Sequence, residues 1–98
     1  MSESPFFDDR EHLFENSIGF VIFDNFPVSE GHSLIIPKRV YPNYFDSTEE
    51  EVRGLNELIF KTKEYLDKKL QPQGYNIGIN CGRVSGQTIA HVHIHLIP

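Results

Sequence analysis

Cysteine is almost missing from this chain. The single Cys81 excludes an internal disulfide framework and is usual for a reducing interior. Long apolar runs are missing too. No stretch approaches the roughly eighteen residues that a membrane helix needs, so neither a membrane nor a secreted setting is expected. The opening MSESPFFDDREHLF carries early acids and lacks the positive-then-apolar order of a secretory signal; cytoplasm is the expected compartment. Positive charge is scarce. Nine Lys and Arg face fourteen Asp and Glu, a formal net charge of −5, which argues against wrapping duplex nucleic acid, where a basic face supplies most of the affinity. A small phosphate ligand needs only a few donors at one spot and stays allowed. Internal repeats, low-complexity tracts and linkers are absent as well, and 98 residues is one domain's length. A chain this short buries a limited fraction of its surface, so pairing with a second copy would add stability.

What is present is periodic. Residues 1–12 are polar and broken by Pro5, which reads as a loosely held arm. Ile18 to Asp24 (IGFVIFD) and His32 to Pro37 (HSLIIP) read as β-strands rich in β-branched and aromatic residues. Their short connection predicts an antiparallel hairpin. Ser47 with Glu50 three positions on forms a capping box. Behind it Val52, Leu55, Leu58, Ile59, Thr62, Leu66 and Leu70 recur at helical spacing, to a stop at Gln71-Pro72. Tyr75 to Cys81 and Ile89 to Ile97 are two further strands around the glycine-bounded GRVSGQT loop. The order predicts an α+β fold, an antiparallel sheet of about five strands with one long helix packed on it.

The last strand carries the chemistry. His91, His93 and His95 alternate with Val92, Ile94 and Leu96. Side chains of a strand alternate between faces, so the imidazoles share one face and the aliphatics pack on the other. Three readings compete. A metal site is weak: at about 3.3 Å rise per residue the Cα atoms of His91 and His95 lie about 13 Å apart, and a zinc–nitrogen bond is about 2.0–2.1 Å. No C-x-x-C or H-E-x-x-H pattern adds ligands, so no metal is assigned. A bland histidine-rich surface rarely brings three together. Phosphate chemistry fits best, because a neutral imidazole is a nucleophile and its N–H donates to phosphate oxygens.

His91-Val92-His93-Ile94-His95-Leu96-Ile97 resembles the histidine-triad signature, histidines alternating with hydrophobic residues and followed by two more. Gly86-Gln87-Thr88 resembles the segment before the triad, and Asp24 to Lys38 (DNFPVSEGHSLIIPK) resembles the family's other hallmark stretch. The likeness runs from about Ile18 to Pro98. It lies nearer the fragile-histidine-like and diadenosine-polyphosphate hydrolases, or the nucleoside phosphoramidases, than the uridylyltransferases, whose core is His-Pro-His.

The resemblance implies roles. His93 is the nucleophile that takes up the nucleoside phosphate covalently, with its other ring nitrogen held protonated by an acceptor, expected to be a backbone carbonyl. His91 and His95 hydrogen-bond phosphate oxygens or the leaving group, and His32 reaches the phosphates from the neighbouring strand. Asn80, Gln87 and Thr88 contact phosphate. Asp24, eight positions before His32, holds the ribose hydroxyls. Ile22 and Leu34 are candidates for the base pocket, with a core role weighed equally. Lys38, Arg39 and Arg83 read as solvated charges. The implied activity is hydrolysis of nucleoside phosphate conjugates, dinucleoside polyphosphates or phosphoramidates, at the α-phosphate through a nucleotidyl-histidine. The expected substrate is a purine nucleotide; the chemistry needs no cofactor, although a polyphosphate arrives with magnesium. Alternatives are a nucleotide-binding or signalling protein with incidental hydrolysis, and a transferase that uses phosphate as acceptor. Relatives pair into homodimers and continue past the triad with a tail, whereas this sequence stops at Pro98.

Overall fold

The structure is a computed structural model that describes residues 4–98. In chain order it comprises β1 (Phe14–Glu15), β2 (Gly19–Phe23), β3 (Ser33–Pro37), a 3₁₀ turn at Tyr44–Asp46, α1 (Glu49–Leu70), β4 (Asn76–Ile79), a second 3₁₀ turn at Arg83–Ser85 and β5 (Ile94–Ile97). The strands form one antiparallel sheet in the order β1-β2-β3-β5-β4. The expected α+β architecture, five strands and one long helix, is therefore present. The strand that the chain pattern does not mark is β1, only two residues long.

Alternation along the strands creates two different layers. Val21, Ile35, Ile94 and Leu96 point to α1 and close a core with its Leu55, Leu58 and Leu66. The opposite face carries Phe20, Ile22, Leu34 and Ile36, joined there by Phe6. The helix comes close enough to the sheet that a side chain at Gly54 would meet Ile18 at 2.5 Å, which explains a residue that otherwise costs a helix interior about 1 kcal/mol.

Three local expectations need correcting. The capping box is Thr48 and Glu51, one position later than Ser47 and Glu50. Both frames carry the motif, and tertiary contacts select between them. Ser47 is engaged by the Tyr41 hydroxyl at 2.7 Å. Arg39 grips Glu51 through Nε and Nη2, each at 2.8 Å, while lying over the Tyr41 ring. Arg39 is thus a clamp on the helix start, and the Arg39 hydrogen bonds hold the Glu51 carboxyl down at about 2. The ladder of β5 begins at Ile94 instead of Ile89, because the backbone before it turns to other partners: the Val92 N–H donates to the Tyr41 carbonyl at 2.9 Å. Finally, the segment expected to be a loose arm is docked from Ser4 onward, with Ser4 and Phe6 both buried.

Candidate active site

The three triad histidines lie on the sheet face away from α1. His95 pairs across the ladder with Leu34 of β3, and Leu34 belongs to the apolar cluster of that face. The His93 and His95 rings stand 5.2 Å apart, His95 and His32 likewise, and Phe6 packs on both His91 and His93 at 5.7 and 5.0 Å.

Hydrogen-bond partners that can only accept or only donate determine each ring's tautomer. The His91 carbonyl accepts from Nδ1–H of His93 at 2.7 Å, so the lone pair of neutral His93 sits on Nε2. No buried side-chain nitrogen or oxygen among the described residues lacks a partner. Nε2 of His93 has none among those residues, so it reaches the surface. The Val28 N–H donates to Nδ1 of His32 at 3.0 Å, which places the His32 proton on Nε2. That proton is directed at Nδ1 of His95, 2.9 Å away, and leaves His95 with an outward Nε2–H. Burial first, then the neighbouring His93 and His32, pushes the His95 pKa down, which favours this neutral, N–H-donating form.

His91 differs from what the resemblance implies. Its Nε2–H donates to the Pro37 carbonyl at 2.7 Å and its Nδ1 meets the Ser4 hydroxyl at 2.6 Å. With 1% of its surface exposed, it has no nitrogen left for a phosphate oxygen. Burial pushes its pKa down as well. His32, 3% exposed, likewise spends both nitrogens on protein groups and reaches His95 rather than open cleft.

Asp24 accepts the Phe26 N–H through Oδ1 at 2.8 Å, and its Oδ2 lies 3.5 Å from Nε2 of His32. Asp24, His32 and His95 bring one donor atom each within 4.8 Å of one another, the best cation-binding corner among the described residues. A cation on Nε2 of His32 would require the ring proton on Nδ1, where the Val28 N–H already donates, so the corner is arranged to pass hydrogen bonds.

Two clefts are lined by neighbours of the row, although no triad histidine lines either. One of about 350 Å³ is lined by Pro5, Phe6, Asp24, Phe26, Leu34 and Ile89, among others. Leu34 is thus both core and wall. Ile22, in contrast, is 1% exposed and lines neither cleft; it is core, because Leu34 and the docked arm cover it. The other cleft, about 650 Å³, is walled by Pro42, Arg83, Gly86, Gln87, Thr88 and Ala90. Thr88 is exposed there. Gln87 braces the loop instead of presenting its amide: Oε1 accepts the Gly82 N–H, and Nε2 donates to the carbonyls of Pro42 and Ile89. Asn80 also spans the loop, donating to the Ser85 carbonyl. Gln87 and Thr88 line this second cleft, Asn80 lines neither, and Ile89 borders both. Lys38 is paired with Glu15 at 2.9 Å.

Sequence reasoning missed the arm. Ser4, Phe6 and Phe7 all contact His91 or His93. The signal was the apolar pair Phe6-Phe7 inside a polar stretch, of which Phe6 is buried and Phe7 half exposed.

An uncharacterised HIT-like protein of Mycoplasma pneumoniae is 37% identical over 84 residues, covering 86% of this chain and 58% of that protein. The asymmetrical bis(5'-nucleosyl)-tetraphosphatase of Schizosaccharomyces pombe is 39% identical over 72 residues, 74% of this chain and 40% of the relative. Among solved structures, the diadenosine triphosphate hydrolase of Plasmodium falciparum, in complex with cyclomarin A, superposes with a TM-score of 0.87 at 30% identity, covering 93% of this chain and 62% of that one. The chain thus spans less than two thirds of the length of each of these three proteins. Residues 8–98 match the HIT domain, and since that stretch carries the whole sheet, the helix and all three triad histidines, the chain belongs to the HIT domain family.

Proposed function

We propose that the protein hydrolyses nucleoside phosphate conjugates at the α-phosphate, with His93 as the nucleophile. One observation carries this reading: Nδ1 of His93 is committed to the His91 carbonyl while Nε2 has no partner among the described residues and reaches the surface. A neutral imidazole held this way directs its lone pair outward, as nucleophilic attack on phosphorus requires. The attack forms an Nε2–P bond and breaks the bond from phosphorus to the leaving group. The outward Nε2–H of His95 hydrogen-bonds the charge that develops on the phosphate or leaving-group oxygens. Water then cleaves the nucleotidyl-histidine and releases a nucleoside monophosphate. The named activities of the S. pombe and P. falciparum relatives support dinucleoside polyphosphates as substrates; phosphoramidates use the same bond-making step with a nitrogen leaving group.

The nucleoside fits the smaller cleft. Phe6 and Leu34 offer apolar surface to a base, expected to be a purine, and the Asp24 carboxylate accepts from ribose hydroxyls. Thr88 faces the second cleft, on the side assigned to the phosphates and leaving group. The chemistry needs no cofactor of the protein's own; magnesium enters with a polyphosphate. Pairing of two copies is supported by β4, an edge strand with Ile77 exposed. No helix among the described residues is long and apolar enough to cross a membrane.

The test is turnover of diadenosine tri- and tetraphosphate and of an adenosine phosphoramidate, followed by trapping of labelled enzyme in an alkaline denaturing quench, which preserves a phosphorus–nitrogen bond. Nucleoside monophosphate release together with a label on His93 is expected. Tight binding without turnover would replace this reading with a nucleotide-binding one, and a nucleoside diphosphate formed from added phosphate would make the protein a transferase.

A further inference from the structure

We infer that Ser4 is a positioning residue for His93, acting through His91. The Pro37 carbonyl can only accept, so the proton of His91 lies on Nε2 and its Nδ1 is bare. The Ser4 hydroxyl donates to that bare nitrogen at 2.6 Å, while Ser4 Oγ accepts the Phe6 N–H at 3.2 Å. The His91 ring is therefore held at both nitrogens, and it is enclosed by Phe6 and Phe7 at 5.7 and 5.5 Å. The carbonyl of this same residue accepts Nδ1–H of His93. The arm and the nucleophile are thus joined by one chain of contacts, Ser4 to the His91 ring, and the His91 backbone to the His93 ring.

The arrangement is directional. Remove the Ser4 hydroxyl and a fully buried Nδ1 loses its donor, an outcome buried polar groups avoid by moving. Movement of His91 shifts the carbonyl that defines the His93 tautomer. Once that hydrogen bond weakens, the His93 proton redistributes onto Nε2, and the fraction of rings able to attack phosphorus falls. Phe6 adds a second hold, since it packs on His93 directly and belongs to the cleft wall.

This inference rests on His93 as nucleophile, and two readouts separate its failure from failure of that assignment. The first needs no substrate: imidazole ¹⁵N spectra of the intact protein should show His93 with Nδ1 protonated and Nε2 bare. In Ser4→Ala the two tautomers should mix, and Ser4→Thr, which keeps the hydroxyl, should restore the single one. The second is kinetic: Ser4→Ala should lower kcat about tenfold with KM changed by no more than about twofold, as expected for loss of one buried hydrogen bond felt in the reacting state. Ser4→Thr should recover most of the rate. An unchanged His93 tautomer in Ser4→Ala overturns the inference, as does a rise in KM alone, which would make the arm a cleft wall and nothing more. Should Ser4→Ala fail to fold, Ser4→Cys serves, since its thiol is a weaker donor; a partial tautomer shift supports the inference and a wild-type spectrum overturns it.

Discussion

The two faces of the sheet are built from the same strands and closed in opposite ways. Beneath α1, Val21, Ile35, Ile94 and Leu96 meet Leu55, Leu58 and Leu66, an all-aliphatic contact with no titratable group in the cluster. On the other face no second layer of secondary structure arrives; a short arm covers it with Ser4 and Phe6. There the strand that contributes Ile94 and Leu96 to the core presents His95, with His93 just before it, and each ring keeps one nitrogen free of partners among the described residues. The helix seals its face with aliphatic side chains and with Thr62, whose hydroxyl finds its own partner in the Leu58 carbonyl at 2.7 Å, since a buried unpaired polar group costs about 1–3 kcal/mol. An arm of a few residues can instead supply those partners one by one.

The sharpest way to break this contrast is at His93. His93→Ala should lower turnover by roughly 10³-fold or more, about 4 kcal/mol in the barrier, while leaving the fold intact; calorimetry beside a kinetic assay checks both halves. Next in size is Leu58→Ala on the sealed face, which should lower stability by about 2–5 kcal/mol with little change in KM, read from denaturant melts. Its counterpart Phe6→Ala should do the reverse, costing roughly 1–2 kcal/mol of stability, because the arm yields more readily than a core, while raising KM for nucleotide. Equal losses of stability from the two would erase the distinction. Asp24→Asn should weaken nucleoside binding about tenfold, the scale of one charge-assisted hydrogen bond, measured by titration with a nucleoside monophosphate.

The smallest effect is in pH. His91 and His95 have pKa values pushed below 6.5 by burial. As pH falls through 6.5 the unfolded chain therefore takes up protons before the folded one, and stability declines. Glu51, held at about 2 against 4.5, contributes stability above 4.5 that is lost between 4.5 and 2. That share is roughly 1–2 kcal/mol, discounted because Arg39 is half exposed. Melting midpoints should fall in two steps on acidification, and Glu51→Gln should shrink only the lower one, to which Asp8, Glu15 and Asp67 also contribute.

Much of this was legible beforehand, for identifiable reasons. The alternation of residues 91–97 assigns His93 and His95 to one face without knowledge of any partner, because a strand has period two. The helix was legible because Leu55, Leu58 and Leu66 keep one stripe across it. What escaped was whatever depended on a contact distant in sequence. His91 carries the same alternation as its neighbours, yet Ser4, 87 residues away, and Pro37 consume its nitrogens. Gln87 reads as a phosphate ligand until Pro42, 45 residues away, takes its amide. Ile22 and Leu34 look equivalent on paper, and only the packing of the arm makes one core and the other wall. The frame of the helix cap was degenerate locally, with Arg39 deciding between Glu50 and Glu51.

The Val92 N–H, given to the Tyr41 carbonyl, links two distant events. Tyr41 lies under Arg39, and Arg39 holds Glu51 in the first turn of α1. If that turn frays, Tyr41 loses its roof and the Val92 proton is freed to exchange with solvent. Deuterium uptake at this single amide, one residue from His93, should therefore track fraying at the start of α1.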